Sequence, residues 1–198
     1  MKILFVAPRF HTNQVEIVRT LQSKGHEVHF HVVTISPTED HSLLEPVVHT
    51  ESQVSWLIRK WFGDGGTNKK RYFPAPFNYW REFKKYSPDV VIIRFHGRFF
   101  SYMAAIFARL CKSKVVFYQQ METEALYRLF SWKNLKSSLR KIIFYARLFF
   151  FNAAWMTPLL SSAHKHNHLP CRVYFVPFAV LVEKIKKKTF EKTRFLMI

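Results

Sequence analysis

The sequence predicts an α/β protein whose core is a doubly wound, mainly parallel β-sheet with helices on both faces, which makes three layers. The segments 2–7 and 89–94 each contain an apolar run, at 3–7 and 90–93, as expected for strands buried on both faces. Residues 1–33 predict a strand, a helix and a second strand, and this βαβ unit is the building block of such sheets. Further strands alternate with helices through the rest of the chain.

The first βαβ unit is defined by its capping and turn residues. Asn13 and Glu16 have the spacing of a capping box, which predicts that a helix begins near residue 13. Gly25 lies where that helix should end, because glycine adopts the left-handed conformation of a C-terminal cap without a steric penalty. Residues 27–33 alternate in hydropathy and predict the second strand.

Residues 45–85 predict a short strand followed by two helices. The strand covers residues 45–50, and Ser52 has the position of an N-cap for the first helix. Pro76 begins the second helix, because proline is favoured at the first helical position. The glycine-rich segment between the helices predicts a mobile loop, and it lacks the Gly-Lys-Ser/Thr ending of a phosphate-binding loop.

The second half of the chain repeats the alternation of strands and helices. In chain order the predicted elements are a strand at 89–94, a helix at 102–110, a strand at 114–118, a long helical region at 123–152, a strand at 153–157, a helix at 161–169 and a strand at 173–176. These elements complete one domain at residues 1–180. No apolar run reaches the roughly 18 residues that a membrane-crossing helix requires.

The charge balance indicates anionic partners. The chain of 198 residues contains 31 Lys and Arg against 13 Asp and Glu, a formal net charge of +18. Such an excess attracts nucleic acid, anionic lipid surfaces or phosphate-bearing substrates, and charge alone does not distinguish among them. The two cysteines, Cys111 and Cys171, are expected to be small core residues, and their scarcity and the lack of a signal peptide favour a cytoplasmic location.

Residues 181–198 differ from the rest of the chain. The charged segment 183–188 predicts a linker, and segment 194–198 predicts the first strand of another domain. We therefore expect the chain to hold one domain of a two-domain protein, with the C-terminal domain missing.

Five short segments together indicate a family. They are residues 1–7, 21–28 (Leu-Gln-Ser-Lys-Gly-His-Glu-Val), 87–92 (Ser-Pro-Asp-Val-Val-Ile), 174–177 (Tyr-Phe-Val-Pro) and 194–198 (Arg-Phe-Leu-Met-Ile). None is specific alone, since Lys-Gly-His-Glu-Val also occurs in other Rossmann-like proteins, and it is their order that is informative. In that order they resemble the N-terminal half of a GT-B glycosyltransferase, in particular one of the retaining family 4 type.

The resemblance implies a Rossmann-like domain that faces a second one across a cleft. In this family the N-terminal domain mainly holds the acceptor, and the C-terminal domain holds the sugar nucleotide. The chain is then expected to belong to an enzyme that moves a sugar from a nucleotide-sugar donor to a glycan or lipid-linked acceptor. It should bind no cofactor by itself and should be inactive without the donor-binding half.

The chain departs from the family pattern at three places. Residues 8–13 lack the glycines that many members use to approach the donor phosphate. Gln119 and Gln120 stand where many members have a histidine, and residues 178–180 (Phe-Ala-Val) replace the usual Asn-Gly-Val. The sequence therefore identifies no catalytic residue.

Polar residues follow the predicted strands at their carboxyl ends, where open parallel sheets bind ligands. The candidate substrate-binding residues are Arg9, His11, Asn13, Arg94, His96, Arg98, Gln119, Gln120 and Glu122. Guanidinium, imidazole and amide groups suit phosphates and sugar hydroxyls. The alternative for each is a solvating or helix-capping role, which is favoured for Asn13, whereas His96 beside Gly97 is the strongest candidate.

The long helix predicts a basic stripe with exposed aromatic residues. The stripe comprises Lys133, Lys136, Arg140, Phe144 and Arg147, with Phe151 beyond it, while Leu139, Ile142, Ile143, Ala146 and Phe150 cover the other side. A stripe of this kind suits an anionic bilayer and predicts peripheral attachment at the inner face of the membrane. The alternative is an ordinary solvated helix face.

A second hypothesis is a basic Rossmann-like module that binds nucleic acid without catalysis. The net charge favours it, whereas no nucleic-acid-binding motif is present and the aromatic residues lie mostly on apolar faces. A dinucleotide-dependent enzyme is disfavoured because no Gly-x-Gly-x-x-Gly follows the first strand. A metal site at His164, His166 and His168 is disfavoured because alternate spacing suits a helix poorly and no carboxylate lies among them.

Overall fold

Seven strands form one parallel sheet among the residues that the computed structural model describes, which are 1–10, 14–35, 41–63, 71–94, 98–119, 135–159 and 171–176. The strands are β1 (Lys2–Val6), β2 (Glu27–Val32), β3 (Val47–Val48), β4 (Val90–Arg94), β5 (Lys114–Tyr118), β6 (Ala154–Thr157) and β7 (Val173–Phe175). Their order across the sheet is β3-β2-β1-β4-β5-β6-β7, and each neighbouring pair is parallel. The predicted parallel sheet is confirmed.

Five helices connect the strands within the described residues. They are α1 (Val15–Ser23), α2 (Gln53–Phe62), α3 (Pro76–Tyr86), α4 (Phe99–Leu110) and α5 (Leu135–Phe150). Ser52 is the N-cap of α2 as predicted, because its side chain accepts a hydrogen bond from the Ser55 amide at 3.1 Å. The predicted helix at 161–169 and the proposed linker and strand at 181–198 lie outside the described residues.

β1 shows why the apolar runs of the sequence predict a sheet that is covered on both faces. Leu4 and Val6 pack into one hydrophobic cluster, and Ile3 and Phe5 pack into the other. All four side chains are buried. Alternate residues of a strand point to opposite faces, so both faces of the sheet are covered.

The helices are distributed over the two faces. Tyr79 and Phe83 of α3, Phe100 of α4 and Leu148 of α5 belong to one cluster. Val15 and Val18 of α1 belong to the cluster on the other face, together with Phe30 of β2. The predicted three-layer arrangement is confirmed.

The strand order reverses between β1 and β4. From β1 the chain adds β2 and then β3 on one side, and it returns to place β4 on the other side of β1. At such a reversal the connections after the two central strands diverge, which opens a crevice at their carboxyl ends. Open parallel sheets bind ligands at such a crevice.

Two further observations concern the cysteines and the apolar character of the helices. Cys111 and Cys171, predicted to be core residues, are free thiols that are only partly buried and pack against the larger hydrophobic cluster. Within the described ranges, no helix is long and apolar enough to cross a bilayer.

Candidate functional site

The carboxyl ends of β1, β4 and β5 lie side by side at the reversal of the strand order. Val6 of β1 is in register with Ile93 of β4, and Arg94 is in register with Tyr118 of β5. Three of the predicted site residues, Arg9, Arg94 and Gln119, therefore lie at one edge of the sheet. Arg9 is exposed, Gln119 is half-buried and Arg94 is buried.

Contacts with Gln14 and with Tyr118 help to hold the buried guanidinium of Arg94 in place. Its Nη1 atom donates a hydrogen bond to Gln14 Oε1 at 3.1 Å. Its Cζ atom lies 5.9 Å from the centroid of the Tyr118 ring, which is within the range of a cation–π contact. A cation that is 6% exposed needs such partners because burial removes most of its hydration.

Gln14 connects the guanidinium of Arg94 to the N-terminus of α1. It is fully buried and occupies the N-cap position of α1, where its side chain makes no capping hydrogen bond. Its Nε2 atom has no hydrogen-bond partner among the described residues. Because the N-terminus of a helix has a partial positive charge, Gln14 and Arg94 lie together at an electropositive point.

The start of α4 packs against the end of β4. Ser101 Oγ, which is buried, donates a hydrogen bond to the carbonyl oxygen of Arg94 at 2.8 Å. Arg98 occupies the N-cap position of α4 and is half-buried, and burial lowers the pKa of its guanidinium from the ordinary value. A second guanidinium is therefore placed four residues after Arg94 at the same end of the sheet.

Sequence reasoning missed Gln14 and Ser101. It assigned the cap of α1 to Asn13 in a capping box with Glu16, whereas Glu16 Oε1 lies 2.7 Å from Arg19 Nη1 and the N-cap is Gln14. The sequence signal for this N-cap was that Gln14 directly precedes Val15, the first apolar residue of the helix. The predicted site residues His11, Asn13, His96, Gln120 and Glu122 lie outside the described residues.

The chemistry available at this edge is recognition of anions. Arg9, Arg94 and Arg98 supply guanidinium groups, and Gln14 supplies an amide. Bidentate arginine donors and helix N-termini suit phosphate oxygens, and amide groups suit sugar hydroxyls. Across the described part of the chain, no group of three or more His, Cys, Asp or Glu side chains is placed to hold a metal ion.

A second polar cluster lies inside the hydrophobic core, between the sheet and α3. The rings of His31 and His49 are 4.6 Å apart between centroids, and the Tyr79 ring lies 4.3 Å from His49. His31 Nδ1, His49 Nε2 and Tyr79 Oη have no hydrogen-bond partner among the residues described. Tyr72 Oη donates a hydrogen bond to the carbonyl oxygen of His49.

Burial sets the protonation of this cluster. It lowers the pKa of His49 from 6.5 to about 4, and it lowers the pKa of His31 well below 6.5, with a smaller contribution from His49. Burial also raises the pKa of Tyr79. The structure places His31 in the core at 1% exposure.

The predicted membrane stripe of α5 is wrong at its aromatic residues. Phe144 and Phe151 are buried, with the Phe144 ring centroid 6.2 Å from that of Trp155. Arg147 is half-buried and its Cζ atom lies 5.4 Å from the Tyr102 ring. The residues assigned to the core side are the exposed ones, namely Leu139, Ile142, Ile143, Ala146 and Phe150.

The reason for this inversion is that the periodicity of α5 places most of its apolar residues on one side, and that side faces the solvent, whereas the buried side carries Phe144 and Leu148. The large rings of Phe144 and Phe151 fill the space beside Trp155 and Phe117. Lys133 and the side chains of Lys136 and Arg140 lie outside the described residues.

Comparison with protein families gives one match over most of the chain. Residues 14–184 match the model of Glycosyltransferase Family 4. The match spans the site residues Gln14, Arg94, Arg98 and Ser101. No curated protein sequence matches the chain.

Comparison with solved structures gives matches that are distant in sequence. HepE (Alr3699) from Anabaena, crystallised in complex with UDP-glucose, has a TM-score of 0.53 and 12% identity, covering 91% of this chain and 44% of its own. UDP-glucose 4-epimerase from Thermus thermophilus, in complex with NAD, has a TM-score of 0.44 and 10% identity, with coverages of 79% and 54%. MurG from Acinetobacter baumannii has a TM-score of 0.40 and 14% identity, with coverages of 81% and 42%. The chain therefore shares its fold with a part of HepE and spans less than half of that protein.

Proposed function

The chain belongs to Glycosyltransferase Family 4, and from this membership we propose that it is the acceptor-side domain of a sugar-transferring enzyme. The enzyme would move a sugar from a nucleotide-sugar donor to a glycan or lipid-linked acceptor. The donor would be held mainly by a second domain, so the chain alone would have no transferase activity. The 44% share of HepE that the chain covers is consistent with a second domain.

The observation that supports this proposal most strongly is the buried Arg94 at the reversal of the strand order. Its guanidinium contacts Gln14 at the N-terminus of α1, and Arg98 begins α4 at the same end of the sheet. A buried guanidinium and a helix N-terminus therefore lie together, with a second guanidinium at the same end of the sheet. This arrangement favours an acceptor with a phosphate or diphosphate group next to its sugar.

A lipid-linked acceptor would place the enzyme at a membrane. The formal net charge of +18 would hold the chain near anionic lipids, at about 1 kcal/mol for each Lys or Arg at the surface. We propose the cytoplasmic face of the membrane, where nucleotide-sugar donors would be supplied. Nucleic acid is the other class of partner that the charge favours, and the tests below include its binding as an alternative result.

The test of the proposed function uses calorimetry with a short-chain polyprenyl diphosphate sugar and with the matching uncharged glycoside. The variant is Gln14→Glu, which converts the contact at 3.1 Å with Arg94 into an ion pair and so preserves the packing. We expect the chain to bind the diphosphate compound in preference to the glycoside, and the variant to bind it at least about tenfold more weakly because the ion pair neutralises the site.

The matched control is Gln22→Glu, which adds the same charge at a half-buried position near the end of α1. It should leave binding unchanged. Equal binding of the two compounds would contradict the proposal. So would a Gln14→Glu variant that binds the diphosphate compound as tightly as the unsubstituted chain does. Robust transfer by the chain alone would contradict the role assigned to a second domain, and tight, steeply salt-dependent binding of nucleic acid would favour the other partner class.

A further inference from the structure

α2 shows the reverse of the pattern expected for a helix on a protein surface, because its apolar side chains face the solvent. Trp61 is 79% exposed and Phe62 is 70% exposed. The other exposed apolar residues of the helix are Val54, Trp56 and Leu57. The buried residue of α2 is Ser55.

Polar contacts attach α2 to the rest of the domain. Ser55 Oγ lies 2.7 Å from Glu51 Oε1 and accepts a hydrogen bond from the Phe73 amide at 3.1 Å. Arg59 Nε lies 2.7 Å from the same carboxylate oxygen of Glu51. Because these contacts fix the polar side of the helix inward, the outward position of its apolar side is a stable property of the fold.

Positive charges border the exposed apolar side. Lys60 Nζ lies 5.3 Å from the centroid of the Trp56 ring, and Arg71 Cζ lies 5.8 Å from the centroid of the Phe62 ring. Arg71 Nη1 also donates a hydrogen bond to the carbonyl oxygen of Gly63 at 2.9 Å. The sequence of α2 contains no Asp or Glu.

We propose that the exposed side of α2, with Val54, Leu57 and Trp61 at its centre and Trp56 and Phe62 at its two margins, inserts into the headgroup region of an anionic bilayer. Tryptophan rings are favoured at that depth, because one part of the ring is apolar and its N–H is polar. The bordering cations then lie at the level of the lipid phosphates. This inference rests on the proposed function, which places the enzyme at a membrane. It assigns the lipid contact to α2, whereas the sequence predicted it on α5.

The charge of the chain favours lipid over a second copy of the protein as the occupant of this face. The formal net charge of +18 opposes self-association, and the border of the face adds positive charge. An anionic membrane offers both the negative charge and the apolar layer that this face requires.

The test measures co-sedimentation of the chain with phosphatidylcholine vesicles that contain or lack phosphatidylglycerol. Trp61→Ala is expected to lower the partition coefficient about tenfold, because a large apolar ring no longer leaves water. Trp61→Phe should restore most of the binding. Lys60→Ala is expected to lower binding about fivefold, and only when phosphatidylglycerol is present.

The matched control is Phe149→Ala on α5, where the side chain is 81% exposed. It removes a ring of similar exposure and should leave vesicle binding unchanged. If Phe149→Ala releases the chain and Trp61→Ala does not, α5 is the lipid contact and the proposal is wrong. A dimer that Trp61→Ala dissociates, with vesicle binding unchanged, would show that a second copy covers this face and would also overturn the proposal.

Failure of this proposal can be distinguished from failure of the proposed function. Vesicle binding requires neither donor nor acceptor, so retained vesicle binding with no acceptor binding would contradict the transferase proposal alone. If the chain binds the acceptor and Trp61→Ala leaves vesicle binding unchanged, only the assignment of the lipid contact to α2 is contradicted.

Discussion

Replacement of His49 by glutamine should remove part of the acid sensitivity of the fold. In the folded chain burial holds the pKa of His49 at about 4, whereas the ordinary value is 6.5. The unfolded chain therefore binds a proton between these values and the folded chain does not. By linkage, the free energy of unfolding decreases as the pH falls from 6.5 to about 4 and levels off below that range.

The size of the effect follows from the two pKa values of His49. A difference from 6.5 to about 4, at 1.36 kcal/mol for each unit, gives a loss of about 3 kcal/mol at the acid end of the range. His31 faces His49 with its own lowered pKa and adds a loss of the same sign. Tyr79 and Tyr72, the other titratable groups of the cluster, stay neutral in this range because burial raises their pKa values, that of Tyr72 to about 12.

The assay is urea unfolding at about pH 7.5 and about pH 4, followed by circular dichroism. We expect the loss of stability between these two conditions to be about 3 kcal/mol smaller in His49→Gln than in the unsubstituted chain. Val33→Ala is the control, because it removes buried apolar volume from the same cluster and should lower stability by a similar amount at both pH values. An acid loss of the same size in His49→Gln and in the unsubstituted chain would refute the reasoning.

Two further predictions concern stability. Ser52→Ala should lower the free energy of unfolding by about 1 kcal/mol, because it removes the capping bond to the Ser55 amide; a urea midpoint equal to that of the unsubstituted chain would contradict the cap. Phe144→Ala should cost about 3–5 kcal/mol because the ring is buried, whereas Phe149→Ala on the same helix should change stability by less than about 0.5 kcal/mol. Equal costs in denaturant unfolding would show that α5 is rotated relative to the described structure.

The sheet could be predicted from the sequence because its strands bury both faces. A run such as residues 2–7 has no polar face, and few structures other than a covered strand accommodate it. Glycine and proline added the boundaries: Gly25 follows the end of α1 with a φ of 79°, and Pro76 is the first residue of α3. These signals are local, so a single sequence contains them.

Which faces of α2 and α5 are buried could not be predicted, because the deciding contacts are not local. In α5 periodicity predicts burial of the side that includes Phe150, and the burial of Phe144 instead depends on the space beside Trp155. In α2 the apolar residues face the solvent because Ser55 is anchored by tertiary hydrogen bonds. Tertiary packing decides both cases, and periodicity alone contains no information about it.

The candidate site was predicted by topology more than by motif. The carboxyl ends of parallel strands share an edge, so Arg9, Arg94 and Gln119 could be grouped from their positions after strands. The contact between Arg94 and Gln14 required the structure, since the two residues are 80 positions apart in the chain.

The most direct test of the central claim is to map where an acceptor compound binds. Two-dimensional ¹H–¹⁵N NMR spectra of the chain, titrated with the short-chain polyprenyl diphosphate sugar, would locate the contact. We expect the largest shift changes at Gln14, Arg94 and Ser101, at the carboxyl ends of β1 and β4. Largest changes at the opposite edge of the sheet, around Glu27 and Lys114 where β2 and β5 begin, would contradict it.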